Sequence, residues 1–171
     1  MQNPKIRLMC VTGVFTALIY VLTAYLHVPS HMGYVHVGDG LIFLAACMLP
    51  TPYAMFAGAA GAALADCLTG FVIWAPASAI IKGLTVLLFT AYSGKILSRR
   101  NFLALFPAAA LCIGGYYLYE AILTGNFISP AADIPGNLIQ SLFSSVLFVL
   151  LGLGFDRFHM KNILFSGRSR S

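Results

Sequence analysis

The stretch His36–Ile73 reads HVGDGLIFLAACMLPTPYAMFAGAAGAALADCLTGFVI and decides the class of fold. It is apolar almost throughout, yet it is far longer than the roughly 20 residues that one helix needs to cross a bilayer. Proline lacks a backbone donor and restricts the residue before it, so Pro50 and Pro52 divide the stretch. We predict a short helix over about 36–49 and a longer one over about 53–71, both within a membrane.

The whole chain has the composition of a membrane protein. Of its 171 residues, 60% are hydrophobic and only 9% are charged, whereas soluble domains carry about 25% charged residues. Further apolar segments flank the central stretch, and they predict helices over about 8–26, 77–97, 102–123 and 134–155. We therefore predict an all-α bundle of six transmembrane helices that forms a single domain over residues 1–171.

The basic residues predict which side of the membrane each loop faces. Of the ten lysines and arginines, only Lys82 lies within a predicted helix away from its ends. The others all fall on one side of a six-helix topology: Lys5, Arg7, Lys95, Arg99, Arg100, Arg157, Lys161, Arg168 and Arg170. Cytoplasmic loops are enriched in such residues. Both termini are therefore predicted to be cytoplasmic in a multi-pass plasma-membrane protein, and the net charge of +5 requires no nucleic-acid partner.

Ionisable residues within the predicted helices mark a candidate site, because such groups are costly in lipid unless they are paired or hydrated. Asp39, Asp66, Lys82 and Glu120 come from four different helices at similar depth in the outer half of the bundle. Their common depth predicts a cavity that opens outward. The candidate substrate-binding residues are His36, Asp39, Trp74, Lys82, Tyr116, Glu120, Asn137 and Gln140.

Two acidic residues and one lysine also have a structural interpretation. Lys82 can pair with Asp66 or Asp39 to hold the bundle together, or it can contact a ligand directly. Asp66 follows a run of alanine and glycine that suits close helix packing. We therefore predict Asp66 and Lys82 as a structural ion pair, with Lys82 kept among the candidate ligand contacts.

The remaining polar candidates have alternatives as well. Glu120 lies one helical turn after Tyr116, so a carboxylate and a ring face the same way, although the tyrosines there also suit an interfacial belt. Asn137 and Gln140 share a helix face and offer amide donors and acceptors, or they cap the sixth helix. The spacing of His36 and its neighbouring histidines matches no strong ligand pattern, so no metal is predicted.

The sequence contains no nucleophile, zinc-protease or phosphate-binding motif. We therefore predict that the chain is not an enzyme and holds no cofactor. A small membrane enzyme that acts on lipid head groups, a purely structural subunit and a stand-alone proton-coupled carrier are the competing hypotheses. In the carrier, Asp39, Asp66 and Glu120 would relay protons.

Four motifs occur in a characteristic order: HVGD at His36–Asp39 with LIFLAA from Leu41, then the runs Gly58–Asp66, Trp74–Gly83 and Ile134–Gln140. Together they resemble the substrate-binding S components of energy-coupling-factor (ECF) vitamin transporters, in the riboflavin-type subgroup. The resemblance implies a six-helix bundle that binds one water-soluble vitamin or precursor near its outer face. The predicted cavity suits a neutral or weakly cationic nitrogen heterocycle, such as pyridoxine, a hydroxymethylpyrimidine or a flavin.

The resemblance also implies partner proteins. S components of this type dock onto a transmembrane scaffold (T) subunit that carries two cytoplasmic ATPases, so that ATP is used only by the partners. Gly13 and Ala17 match the pair of small residues that the first helix presents to the scaffold, with glycine in place of the usual first alanine. Packing within the bundle is the alternative interpretation of this pair.

Overall fold

The computed structural model describes residues 4–29 and 34–161, so Arg168 and Arg170 lie outside the described residues. Helices make up most of this part of the chain, and two short strands and two turns of 3₁₀-helix complete it. The helices are α1 (Pro4–Tyr25), α2 (Asp39–Met48), α3 (Thr51–Leu68), α4 (Ala75–Val86), α5 (Arg99–Leu103), α6 (Leu105–Thr124) and α7 (Ile134–Arg157). The strands are β1 (His27–Pro29) and β2 (Tyr34–His36), and the 3₁₀ turns are Val72–Trp74 and Ser129–Asp133.

Three helical segments of the described residues are long and apolar enough to cross a membrane, namely Lys5–Tyr25, Arg99–Thr124 and Ser129–Arg157. The segments Asp39–Met48 and Val72–Val86 are shorter apolar helices. Large apolar side chains such as Phe106 and Leu150 lie exposed on the outside of the bundle, as expected where lipid is the solvent. The helical, membrane-embedded class is therefore confirmed, whereas the count of six spans stays a prediction.

The segment that joins α1 to α2 is a β-hairpin rather than the loop that the sequence predicts. The two strands pair antiparallel, with His27 opposite His36 and Pro29 opposite Tyr34. Helix α2 therefore begins at Asp39, three residues later than predicted. A Cβ atom at Gly38 would lie 2.1 Å from Thr23 Oγ1, so the chain needs glycine where the hairpin enters α2 beside α1.

The predicted fourth helix is too long, because α4 ends at Val86 and not near residue 97. Polar side chains take the backbone hydrogen bonds that a longer helix would make. Asn101 Oδ1 accepts a hydrogen bond from the N–H of Thr90 at 2.9 Å. Asp156 accepts from the N–H groups of Ile96 and Leu97 at 2.8 and 3.0 Å. These side-chain hydrogen bonds come from residues distant in sequence, so the hydropathy of the segment does not reveal where α4 ends.

Helix α2 is the central element of the bundle. All of its residues are buried, and it contacts α1, α3, α4 and α7. Helices α1 and α3 approach closely at Gly61, where a Cβ atom would lie 2.8 Å from Ile19 Cγ2. The small residues of α3 thus permit the packing that holds Asp66 at the end of that helix in place.

Candidate functional site

A cavity lies at the end of the bundle where α3 and α6 finish and where α4 and α7 begin. It contains about 480 Å³ of empty space, part of which is open to solvent. The lining residues are Tyr34, Val35, His36, Asp66, Trp74, Ser78, Tyr116, Glu120, Asp133, Asn137 and Gln140. The site is thus built from helices distant in sequence, with one wall from the hairpin.

Six of the eight predicted ligand contacts line this cavity, namely His36, Trp74, Tyr116, Glu120, Asn137 and Gln140. The other two, Asp39 and Lys82, do not line it. The structure therefore gathers most of the predicted set at one place, and binding by these residues stays a prediction.

Asp39 and Lys82 form a buried ion pair. Lys82 Nζ lies 2.9 Å from Asp39 Oδ2, and both side chains are almost fully buried. The predicted Asp66–Lys82 pair is therefore wrong. The sequence gives the depth of a residue along its helix, but it does not give the neighbouring helix toward which the side chain points. Asp66 lies near the end of α3 and contacts the hairpin, where the Tyr34 hydroxyl donates to its Oδ1.

Gln140 connects this ion pair to the cavity wall. Its Nε2 donates to Asp39 Oδ2 at 3.0 Å, and its Oε1 accepts from the backbone N–H of His36 at 3.2 Å. Both ends of the amide are thus used within the protein. Gln140 therefore positions α2, α7 and the hairpin relative to one another, in addition to lining the cavity.

The hairpin contributes His36 and Tyr34 as neutral groups. His36 Nδ1 accepts a hydrogen bond from the N–H of Gly38 at 3.1 Å. Burial lowers the pKa of His36 to about 4, against the opposing attraction of Asp39. Burial, with the hydrogen bond to Asp66, also raises the pKa of Tyr34 above its ordinary value. At neutral pH the hairpin therefore presents an imidazole and a phenol without charge.

Aromatic rings form the wall on the α4 and α6 side. The ring centroids of Trp74 and Tyr116 lie 6.0 Å apart at an interplanar angle of 62°, an edge-on arrangement that aromatic pairs favour. The Tyr116 hydroxyl is 2.8 Å from Ser78 Oγ. Lys82 Nζ lies 4.9 Å from the Tyr116 ring centroid, within reach of a cation–π contact. These contacts fix the ring of Tyr116 in place.

Five lining residues were not among the predicted ligand contacts, namely Tyr34, Val35, Asp66, Ser78 and Asp133. Tyr34 belongs to the segment predicted as a loop, and strands of three residues carry too little pattern to recognise. Ser78 follows Trp74 by four residues on one helical stretch, so helical spacing was a usable signal. Asp66 was assigned to an ion pair, and Asp133 immediately precedes α7.

Gly13 and Ala17 lie far from the cavity, on the exposed side of α1. A Cβ atom at Gly13 would meet nothing within 4 Å, so Gly13 does not pack against another helix of the described chain. A shallow apolar groove of about 670 Å³ runs beside it, lined by Met9, Thr12, Gly13, Pro52, Tyr53 and Phe56. The structure thus favours the outward-facing interpretation of Gly13 over packing within the bundle.

The fold and the cavity together define a helical membrane protein with a cavity of polar and aromatic residues at one end of its bundle. A family described as the S component of the ECF-type riboflavin transporter matches residues 3–157. The chain belongs to this family, as the order of its motifs indicates.

Solved structures support the same fold. A structure of the S component of a bacterial ECF transporter matches with a TM-score of 0.68 and 16% sequence identity, and the match covers 90% of this chain and 98% of that chain. At this identity the likeness shows the fold alone. No curated protein sequence matches the chain.

Proposed function

We propose that the chain captures a small vitamin or vitamin precursor with a nitrogen heterocycle and delivers it inward as the specificity subunit of an ECF-type importer. The observation that best supports this proposal is that aromatic rings, carboxylates and amides from separate elements line one cavity at one end of the bundle. The family's description favours a flavin. Pyridoxine and a hydroxymethylpyrimidine have the same combination of a flat ring and polar edges.

The lining residues divide into two kinds of contact. Trp74 and Tyr116 provide faces against which a flat ring can stack. Glu120 offers carboxylate acceptors for ring N–H or hydroxyl groups, and Asn137 adds both an acceptor and donors. Gln140 is already bonded at both ends of its amide, so its proposed role is to shape the floor of the site.

The described basic residues support an orientation with the cavity outside. Lys5 and Arg7 lie at the start of α1, and Arg157 lies at the end of α7, whereas the cavity lies at the opposite ends of these helices. Lys161 donates to the carbonyl oxygens of Ala91 and Ser93, which places the segment after α4 at the basic end as well. Under the positive-inside rule, the basic end is cytoplasmic.

Mass spectrometry of small molecules that co-purify with the detergent-solubilised chain tests the proposal. We expect a vitamin-like heterocycle, and we expect the same compound to raise the melting temperature in a panel of B vitamins. A preparation that contains no such compound, and that no member of the panel stabilises, would refute the proposal.

Reconstituted vesicles separate the importer from a stand-alone carrier. We expect vesicles with this chain alone to bind the compound without concentrating it, and we expect ATP-dependent uptake when the scaffold and both ATPases are added. Uptake by the chain alone, driven by an imposed proton gradient, would establish the carrier instead.

A further inference from the structure

Asp66 is a buried carboxylate of the cavity wall with an oxygen that accepts no hydrogen bond. It lies near the end of α3, lines the cavity and is only 4% exposed. Its Oδ1 accepts from the Tyr34 hydroxyl, which has no second hydrogen to give, whereas its buried Oδ2 has no hydrogen-bond partner among the described residues. A buried acceptor without a donor costs free energy, and a charged one costs more than a neutral one. A further donor at Asp66 would therefore stabilise the site.

Two other polar side chains near Asp66 bond elsewhere. Lys82 Nζ lies 2.9 Å from Asp39 Oδ2 and pairs with that carboxylate. Ser78 lies beside Asp66, and its Oγ is 2.8 Å from the Tyr116 hydroxyl. The two oxygens of a carboxylate offer about four acceptor positions. Asp66 thus has room for a donor from outside the protein, even where Ser78 contributes one.

The position of Asp66 suits the edge of a flat ligand. Ser78 lies beside Asp66 and also contacts the Tyr116 hydroxyl, so the carboxylate is near the hydroxyl end of the Tyr116 ring. A flat ring that stacks against Tyr116 would turn one of its edges toward Asp66. Stacking discriminates little among flat rings. A site that bonds a buried polar group to the ligand, in contrast, rejects an analogue that lacks the matching group.

We propose that Asp66 is a specificity-determining contact of this cavity, and that its Oδ2 accepts a hydrogen bond from an N–H or O–H group on the edge of the bound ring. The proposal rests on the proposed function and deepens it, because it names a contact that selects the ligand. A ligand with only acceptor atoms at this edge binds poorly, since its lone pairs face the carboxylate. Asp66 then gains its second donor only when a ligand is bound.

Asp66→Asn tests whether this carboxylate serves the ligand or the fold. The amide keeps the size of the side chain, and its oxygen can still accept from Tyr34, but an N–H donor replaces Oδ2. We expect the full-length protein without ligand to melt at the same or a higher temperature, because an unpaired buried oxygen is removed. Asp39→Asn is the matched control and should lower the melting temperature, because Asp39 pairs with Lys82. An equally large fall with Asp66→Asn would assign Asp66 to the fold and overturn the proposal.

Ligand analogues test the hydrogen bond itself. Riboflavin, pyridoxine and 4-amino-5-hydroxymethyl-2-methylpyrimidine are the parent probes, together with any compound that co-purifies with the chain. For each parent that binds, a set of analogues removes the N–H and O–H groups of the ring edge one at a time. Examples are 3-methylriboflavin, 4-deoxypyridoxine and the pyrimidine without its amino group. Calorimetry on the full chain measures each dissociation constant with the unmodified protein and with Asp66→Asn.

For one analogue, we expect binding to the unmodified protein to weaken by at least about tenfold, the loss of a hydrogen bond to a charged group. The same analogue should bind Asp66→Asn within about threefold of its parent, because the partner of the missing donor is gone. Equal losses in both proteins for every analogue would overturn the proposal and leave the proposed function standing. If no probe binds and no vitamin-like compound co-purifies, the proposed function and this proposal are refuted together.

Discussion

Glu120 illustrates how one side chain links the fold to a ligand. It lies on α6 one turn beyond Tyr116, is 2% exposed, and lines the cavity. A buried carboxylate lowers the stability of a bundle relative to an apolar residue of similar size. Its presence at a cavity wall supports the proposed binding role, because packing alone would favour an apolar side chain there.

Glu120→Ala is expected to weaken ligand binding by about 10- to 100-fold, the loss of one hydrogen-bonded charge of roughly 1.5–3 kcal/mol. Expression and the size-exclusion profile should stay as in the unmodified protein. Leu118→Ala on the exposed side of the same helix serves as the control. Calorimetric titration with the co-purifying compound measures both variants, and an unchanged dissociation constant for Glu120→Ala would remove it from the site.

His36 predicts a pH dependence of stability. Its pKa is about 4 in the folded protein against an ordinary 6.5, so the unfolded chain takes up a proton first as the pH falls. The contribution of His36 is therefore fully present above about pH 6.5 and is lost between there and about pH 4. Melting temperatures between pH 4 and 8 measure this loss. His36→Asn, which keeps an acceptor for Gly38, should show a shallower decline, and identical profiles would contradict the assignment.

At the scale of elements, one buried network sets the arrangement of the helices. Asp39 on α2 receives hydrogen bonds from Lys82 on α4 and from Gln140 on α7, and Gln140 also holds the hairpin through His36. Three helices and the hairpin thus meet on one carboxylate beneath the cavity. Movement of any of these elements would expose a buried charge.

A double-mutant cycle measures this coupling. Asp39→Leu and Lys82→Met alone should each lower the free energy of unfolding by about 3–5 kcal/mol, because each leaves the partner charge buried and unpaired. The double variant should lose clearly less than the sum. Lys95→Met, at an exposed position, should change stability by under about 0.5 kcal/mol. Additive losses in the double variant would show that the pair is not coupled.

The sequence predicts the helices, and the depth of each residue along its helix, better than it predicts which neighbouring helix a side chain faces. The apolar runs located α1, α3, α6 and α7 to within a few residues, because hydropathy reports directly on contact with lipid. The partner of Lys82 was assigned incorrectly, because Asp39 and Asp66 lie at similar depth and differ only in the direction they face. The end of α4 depends on Asn101 and Asp156, which act across the fold and lie outside any local window.

At the scale of the whole molecule, the two ends of the bundle differ in character. The cavity and its carboxylates lie at one end. The start of α1, with Lys5 and Arg7, lies at the other. The exposed Gly13 and its apolar groove flank the basic half of α1. This separation predicts that the proposed ligand binding and the proposed partner docking can be changed independently.

Gly13→Leu is therefore expected to leave ligand affinity unchanged and to abolish uptake by the assembled transporter. A Cβ atom at position 13 meets no atom of the described chain within 4 Å, so the backbone accepts a side chain there and a loss of uptake would indicate contact with a partner. Gly114→Leu is the matched control, since Gly114 on α6 is equally open and lies outside the proposed docking face. Co-purification with the scaffold and vesicle uptake measure both. Normal uptake with Gly13→Leu would show that this face of α1 is not the docking surface for the scaffold.

The early end of α4 has a consequence for the lipid around the protein. With 12 residues at about 1.5 Å each, α4 is about 18 Å long, far shorter than a hydrocarbon layer of roughly 30 Å. Ile80 and Leu84 are exposed along it, so acyl chains contact this short surface directly. A surface this short favours a thinner bilayer on this side, because the cost of hydrophobic mismatch grows with the difference in length. The melting temperature of the protein, measured in lipids of graded acyl-chain length, should therefore rise as the chains shorten. A melting temperature that does not change with chain length would indicate that the bilayer does not adapt its thickness to α4.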